Sequence, residues 1–458
     1  MFSKDYIHHY KEHILLSLPV IISQLGHIFV GLADTMIAGR RLGTPPMASA
    51  AIASSMFFPV LMLGIGISYG ATSLIAKADG AGDKNEIKTI FKHSLVLNFI
   101  LSTFLFVLLY KSAFILKLLD QPKEVEAAAV PFLEWLAWSI LPLMLFQTFK
   151  QFAEGLSNTK QAMIISVGSN ILNVLLIFVL VDGWFGIPSL GLNGIAIATF
   201  IARVFMAVAM ILMVLSNKRI SDYLVGWRAV KFKTEKFIEL IKISLPIGLQ
   251  LTLEAGAFGF AFIIVGWLGT VEIAAHQIAL SMAGVTYMGA TGISAAATVR
   301  VGYELGRKDF VQLRKAGYSA MMLVFIYMSI TAISFVCLRF YLPTFYFEEA
   351  ALSQIEEATV IKMASSLLLI TAFFQLSDGI QVVGLGALRG MGDVVIPTVA
   401  VLVAYWVLGL PLGYWLAFKM GLGIQGVWYG LSTGLIFVSI FLFIRFRIKS
   451  GNLLLFNK

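Results

Sequence analysis

The chain has 458 residues, of which 59% are hydrophobic and 13% charged, against roughly 25% charged in an ordinary soluble domain. That balance excludes a water-soluble enzyme: twelve apolar spans at about 20 to 25 residues each leave short loops and no room for a large soluble domain. The formal charge of +9 comes from 34 Lys and Arg against 25 Asp and Glu, and the single cysteine, Cys337, excludes an internal disulfide and a thiolate metal cluster.

Residues 1–13 are polar, are not followed by a small-residue cleavage site, and read as a cytoplasmic N-terminal segment rather than a signal peptide. The first span, 14–38, carries Gln24, His27, Gly31 and Asp34 within about 80° of one another at 100° per residue, a polar stripe on an apolar helix. The second, 47–74, lies in an uncharged run of 35 residues from Leu42 to Ala76. The third runs 91–115. The fourth, 130–152, is interrupted by Glu134. In the fifth, 161–182, Ser166, Asn170 and Asn173 share a face, where helix-to-helix hydrogen bonding competes with a substrate role. The sixth, 191–215, holds Arg203. Residues 216–237 form a basic linker whose six cations suit anionic headgroups.

The seventh span, 238–266, contains Gln250 and Glu254 at helical spacing. The eighth, 273–299, is uncharged and opens on His276 and Gln277, for which capping or packing is as reasonable as function. The ninth covers 316–340. The tenth, 361–388, aligns Thr371, Gln375 and Asp378 on one face, and the eleventh and twelfth cover 394–418 and 423–446 before a tail at 447–458. Backbone groups cannot go unsatisfied in lipid, so the crossings must be helices.

Placing the N-terminus inside puts 25 Lys and Arg in the loops and helix ends of that side and eight on the other, with Arg203 inside a span, so both termini are expected in the cytoplasm. The chain also repeats. Ser17-Leu18-Pro19 recurs as Ser244-Leu245-Pro246, Leu42-Gly43-Thr44 as Leu268-Gly269-Thr270, Gly155 as Gly390, and Gly191-Leu192-Asn193-Gly194 as Gly423-Ile424-Gln425-Gly426. Six spans per repeat is an even number, so the halves are parallel: an N-lobe at 14–215 and a C-lobe at 238–446, rocking about a central cavity as transporters do.

A carboxylate at mid-span costs about 2.5 to 3.5 kcal/mol. Glu254 lies 12 residues from Lys242, and Asp378 lies 11 from Arg389, so at 1.5 Å per residue both sit roughly 17 Å from the cytoplasmic end of their helices, at one depth. Two acids at one level can coordinate a cation, or one can carry a proton because burial and like charge disfavour ionising both. Arg203, the fixed cation counted in the spans, lies in the other half. Asp34 lies nearer the outer interface beside Arg40 and Arg41, where a solvated helix-end acid and a functional one are equally reasonable. The repeat sets His27 opposite Glu254, so the lobes carry different ionisable groups at equivalent places.

There is no P-loop, no GxSxG elbow and no HExxH zinc motif, so energy for uphill transport is expected from an ion gradient, without ATP, cofactor or nucleic acid. The parallel repeat, Val30-Gly31-Leu32-Ala33-Asp34-Thr35-Met36-Ile37-Ala38-Gly39, Glu254, Ala275-His276-Gln277-Ile278-Ala279, and Gln375-Leu376-Ser377-Asp378-Gly379-Ile380-Gln381 with Ala387-Leu388-Arg389-Gly390 resemble the multidrug and toxic compound extrusion (MATE) family, NorM-like branch. The resemblance covers essentially the whole chain. It implies an all-helical inner-membrane antiporter, expected to act as a monomer among membrane lipids, that exports amphipathic or cationic organic compounds against inward Na⁺ or H⁺.

The resemblance also makes Glu254 and Asp378 the C-lobe cation site, able to hold Na⁺, and Asp34 the N-lobe acid. Gln24, His27, Asn170, Asn173, Gln250, Gln277, Thr371, Phe374 and Gln375 are the candidate polar or cavity positions beside them. Two departures bear on the ion: Phe374 stands where such proteins often have Tyr, and Ile177 follows Asn173 by four where they often have Asn or Asp. Na⁺ needs several oxygens and a proton needs one carboxylate, so both losses tilt toward H⁺. The alternatives are a flippase of lipid-linked or polysaccharide substrates, which calls for a strongly cationic cavity, and an intramembrane protease using the acids as an aspartyl-type dyad.

Overall fold

A computed structural model describes residues 4–116, 122–184, 186, 188–347 and 354–455. Twelve helices among these residues are long and apolar enough to cross a membrane. They are α1 Lys4–Ile37, α2 Thr44–Gly80, α3 Lys84–Leu116, α4 Lys123–Gly155, α5 Lys160–Asp182 and α6 Gly191–Ser216. After the linker come α7 Thr234–Gly266, α8 Thr270–Gly306, α9 Phe310–Leu338, α10 Gln354–Gly390, α11 Val395–Lys419 and α12 Gly423–Leu455. Each expected span coincides with one helix. Most helices extend past the expected span, because polar residues can continue the backbone hydrogen bonds once outside the hydrocarbon.

Three expectations change in consequence. Residues 4–13 are not a separate segment but the first turns of α1, and α12 runs to Leu455 through most of the expected tail. Glu134 does not interrupt α4, which is continuous through Pro131 and Pro142. In the basic linker, Lys218–Ser221 forms one short helical turn, followed by two 3₁₀ turns.

The repeated motifs have physical causes. Gly43 and Gly269 take φ of 88° and 148° just before α2 and α8, and Gly191 and Gly423 take 52° and 56° at the starts of α6 and α12; this is backbone that a β-carbon disfavours. A β-carbon on Gly390 would fall 2.6 Å from the Thr298 carbonyl oxygen, and one on Gly155 would fall 2.8 Å from Ile75. Both glycines mark close helix crossings. The apolar outer surface, with Phe29, Phe99, Phe104 and Phe373 all 60% exposed or more, suits lipid and not water.

The chain forms two compact units, residues 22–252 and residues 1–21 with 253–458. The expected lobes divide at the linker, 216–237, whereas the contacts divide inside α1 and inside α7. Within the first unit, Gly66 and Gly70 of α2 admit the start of α7, and a β-carbon on Gly66 would lie 2.6 Å from Gly248 Cα. Within the second, Gly292 of α8 receives α1 at Ser17 and Ile21, the counterpart contact one repeat later. Polar bonds reinforce it: His13 Nε2 meets the Ala316 carbonyl and His9 Nε2 meets Gln312 Oε1, each at 2.9 Å. The spans most enclosed by protein are α4 and α10, equivalents in the repeat and 56% buried in their apolar windows.

Candidate functional site

In the unit that contains residues 253–458, α7 places Glu254 and α10 places Asp378, both buried at 5% and 7% exposure, and each acts on the other as a like charge. Glu254 Oε1 accepts hydrogen bonds from Tyr287 Oη of α8 at 3.3 Å and from Gln381 Nε2 of α10 at 3.2 Å. Gln381 is itself fixed, because Tyr405 Oη of α11 donates to its Oε1 at 3.1 Å. A π-helical turn at Val403–Gly409 supplies Tyr405 and, from the adjacent residue, Trp406, whose Nε1 donates to the Leu253 carbonyl at 3.0 Å. Such turns widen a helix and re-aim its side chains. Neutral donors from α8 and α10 thus meet the carboxylate carried by α7, and α11 braces both Gln381 and the α7 backbone beside it.

The other candidates of this unit divide. Gln375 Oε1 accepts from Thr286 Oγ1 at 3.0 Å, while its Nε2 is buried with no hydrogen-bond partner among the described residues. Thr371 donates to the Leu367 carbonyl of its own helix, and Phe374 is buried with its ring 5.6 Å from that of Trp428. His276 is fully buried and its Nδ1 accepts from Trp428 Nε1 at 3.0 Å, which makes it a packing residue. The capping expectation is corrected, since α8 starts six residues earlier at Thr270. Gln277 is exposed, and its Nε2 donates to Ser281 Oγ at 3.4 Å.

In the unit of residues 22–252, His27 is exposed, Gln24 and Asp34 are half-buried, and Asp34 Oδ1 has no hydrogen-bond partner among the described residues. The charge acting on Asp34 is Arg203, whose Nη1 donates to Ser139 Oγ at 2.6 Å and whose guanidinium lies 5.2 Å over the Phe57 ring. His27 faces two cations, Arg203 and Lys150. Lys150 is buried at 4% exposure beside Glu154, 3.7 Å away. The sequence count assigned Lys150 to a helix end and left Arg203 as the spans' cation; the structure buries Lys150 in α4, which continues to Gly155, more deeply than the half-buried Arg203.

Asn173 donates to Thr199 Oγ1 at 3.2 Å, a helix-to-helix bond, while Asn170 Nδ2 sits where a β-carbon on Gly26 would fall, 2.5 Å away. Gln250 is buried in this unit, although Glu254, one turn on, belongs to the other. The two units therefore differ in chemistry: two acids with neutral donors in one, and in the other a histidine with two cations, Arg203 and Lys150, and two acids, Asp34 and Glu154. Tyr287, Gln381, Tyr405 and Lys150 were not singled out from the sequence. A signal existed for the last, whose i,i+4 pairing with Glu154 is visible in the chain.

A family model described as MatE matches residues 19–179 and 246–415. The multidrug resistance protein NorM of Photobacterium profundum is 31% identical over 453 residues, covering 96% of each chain. The multidrug resistance protein MdtK of Yersinia pseudotuberculosis serotype O:1b is 32% identical over 451 residues, covering 97% of this chain and 96% of its own. Among solved structures, that of a MATE protein in the straight conformation superposes with a TM-score of 0.88 over 99% of both chains at 20% identity, a likeness of fold.

Proposed function

This chain belongs to the MatE family of multi-pass membrane transporters, and on that premise we propose that it is a secondary antiporter exporting amphipathic or cationic organic compounds, with Glu254 and Asp378 as the coupling site. The observation that carries this reading is the buried carboxylate pair of α7 and α10, of which Glu254 is braced by Tyr287 and Gln381, and Gln381 in turn by Tyr405. Two like charges in a low-dielectric interior favour taking up a compensating cation. An external ion would neutralise the pair, weaken the hold on a cationic drug and favour its release outside. The ion's departure inside would restore affinity. Linkage requires drug and ion to lower each other's affinity by the same factor.

Of the two ions, the proton is the better supported. Glu254 Oε1 already accepts two donors, Gln381 and Gln375 each use their oxygen on a hydroxyl, and Phe374 offers none. The count of 25 cations against eight favours cytoplasmic termini. The test is uptake of ethidium into everted vesicles, with a Na⁺ gradient and a pH gradient applied separately. Uptake driven by the pH gradient alone is expected, and Glu254→Gln and Asp378→Asn should each abolish it; undiminished uptake in both variants would remove the site from the mechanism.

A further inference from the structure

A cavity of about 600 Å³ whose lining includes neither acid lies between α9, α10 and α12, where Tyr6 and Leu454 bring both terminal segments. Its described lining is apolar except at that end, where Arg314 and Lys315 stand side by side with no carboxylate among the lining residues. Arg314 lies 5.5 Å over the Tyr318 ring, which turns the guanidinium along the groove. The wall continues through Met322 to Phe325, which is 42% exposed. From Arg314 to Phe325 the helix rises about 16 Å, close to half of a ~30 Å hydrocarbon core. One end thus has the charge of a headgroup site and the rest has the length and polarity of one acyl chain. Ile380, between Asp378 and Gln381 in sequence, also lines the groove.

We propose that this groove is a binding site for one anionic phospholipid of the leaflet on the side of the termini, its phosphate at Arg314 and Lys315 and one acyl chain along Tyr318, Met322 and Phe325. The cations stand in the first turns of α9, on the side where the cation count expects the cytoplasm, and the apolar wall beyond them favours an occupant with a tail. The site is independent of the coupling ion and of the exported compound.

The test is native mass spectrometry of the full-length protein in detergent, incubated with equal amounts of phosphatidylglycerol and phosphatidylcholine of matched chains. Wild type is expected to retain one phosphatidylglycerol in preference to phosphatidylcholine. Arg314→Gln and Lys315→Gln should each lower that preference about fivefold, with an unchanged melting temperature. Met322→Trp, which fills the apolar part, should reduce retention of both lipids; should it fail to fold, the charge variants decide alone. Equal retention of the two lipids by wild type, unchanged preference in the double charge variant, or competition by free glycerol phosphate as strong as by intact lipid would each overturn the proposal.

Discussion

Replacing Tyr405 by Phe removes one oxygen atom and leaves the packing of the ring intact. Tyr405 and Gln381 are both 0% exposed, so no bulk water reaches the Gln381 oxygen once its donor is gone. Stranding a buried acceptor costs about 1 to 3 kcal/mol. The 3.1 Å separation is longer than the usual 2.7 to 2.8 Å for a hydroxyl donor, which places the expected loss nearer 1. Gln381→Leu does something different: it strands the Tyr405 hydroxyl and leaves Glu254 Oε1 with Tyr287, at 3.3 Å. The double variant removes both members of the Tyr405–Gln381 pair, so it should cost less than the sum of the singles by about 1 kcal/mol. Thermal unfolding in detergent of the four proteins measures this. Gradient-driven ethidium transport should fall further in Gln381→Leu than in Tyr405→Phe, since only the former removes a donor from the acid. Additivity within about 0.5 kcal/mol, or equal transport by both single variants, would refute the chain of hydrogen bonds as the support of Glu254.

Further outcomes follow from other contacts. Lys150→Met leaves Glu154 buried without its cation and should destabilise by about 3 kcal/mol, with much of the loss recovered in Lys150→Met/Glu154→Leu, as read by thermal unfolding. Gly66→Ala forces a methyl against Gly248 Cα and should cost about 1 to 3 kcal/mol, whereas Gly31→Ala, with open space around it, should be close to neutral apart from any effect on transport. His13→Ala removes a fully buried ring and its bond to the Ala316 carbonyl, an expected loss of about 2 to 4 kcal/mol; limited proteolysis near the N-terminus should quicken with it.

The helices were legible because a membrane makes charge costly: runs such as Leu42 to Ala76 could be counted, and glycines at matched offsets betrayed the repeat. Glu254 and Asp378 stood out for the same reason, as acids inside apolar spans, and both are buried. Tyr287, Gln381 and Tyr405 did not stand out, because a neutral polar group in an apolar span costs little enough to be common, and which of them meets an acid depends on helix rotation and, for Tyr405, on a local π turn. Lys150 was counted with the helix-end cations because it lies two residues from the end of its expected span, and the sequence does not show that neighbouring helices bury that last turn. Between Gln250 and Glu254 the chain passes from one compact unit to the other, a boundary inside one continuous helix that no spacing in the sequence marks.

That passage, and its counterpart inside α1, sets an order of events during synthesis. His9 and His13 find their partners 303 residues further along the chain. At about 5 to 20 residues per second, the first helix waits roughly 15 to 60 s in the bilayer before its packing surface on α8 and α9 has been made. During that interval its buried imidazoles and small-residue contacts face lipid or a provisional neighbour. A gene cut at the linker would not yield two self-sufficient halves, since each fragment would carry away the opening segment of the other's core.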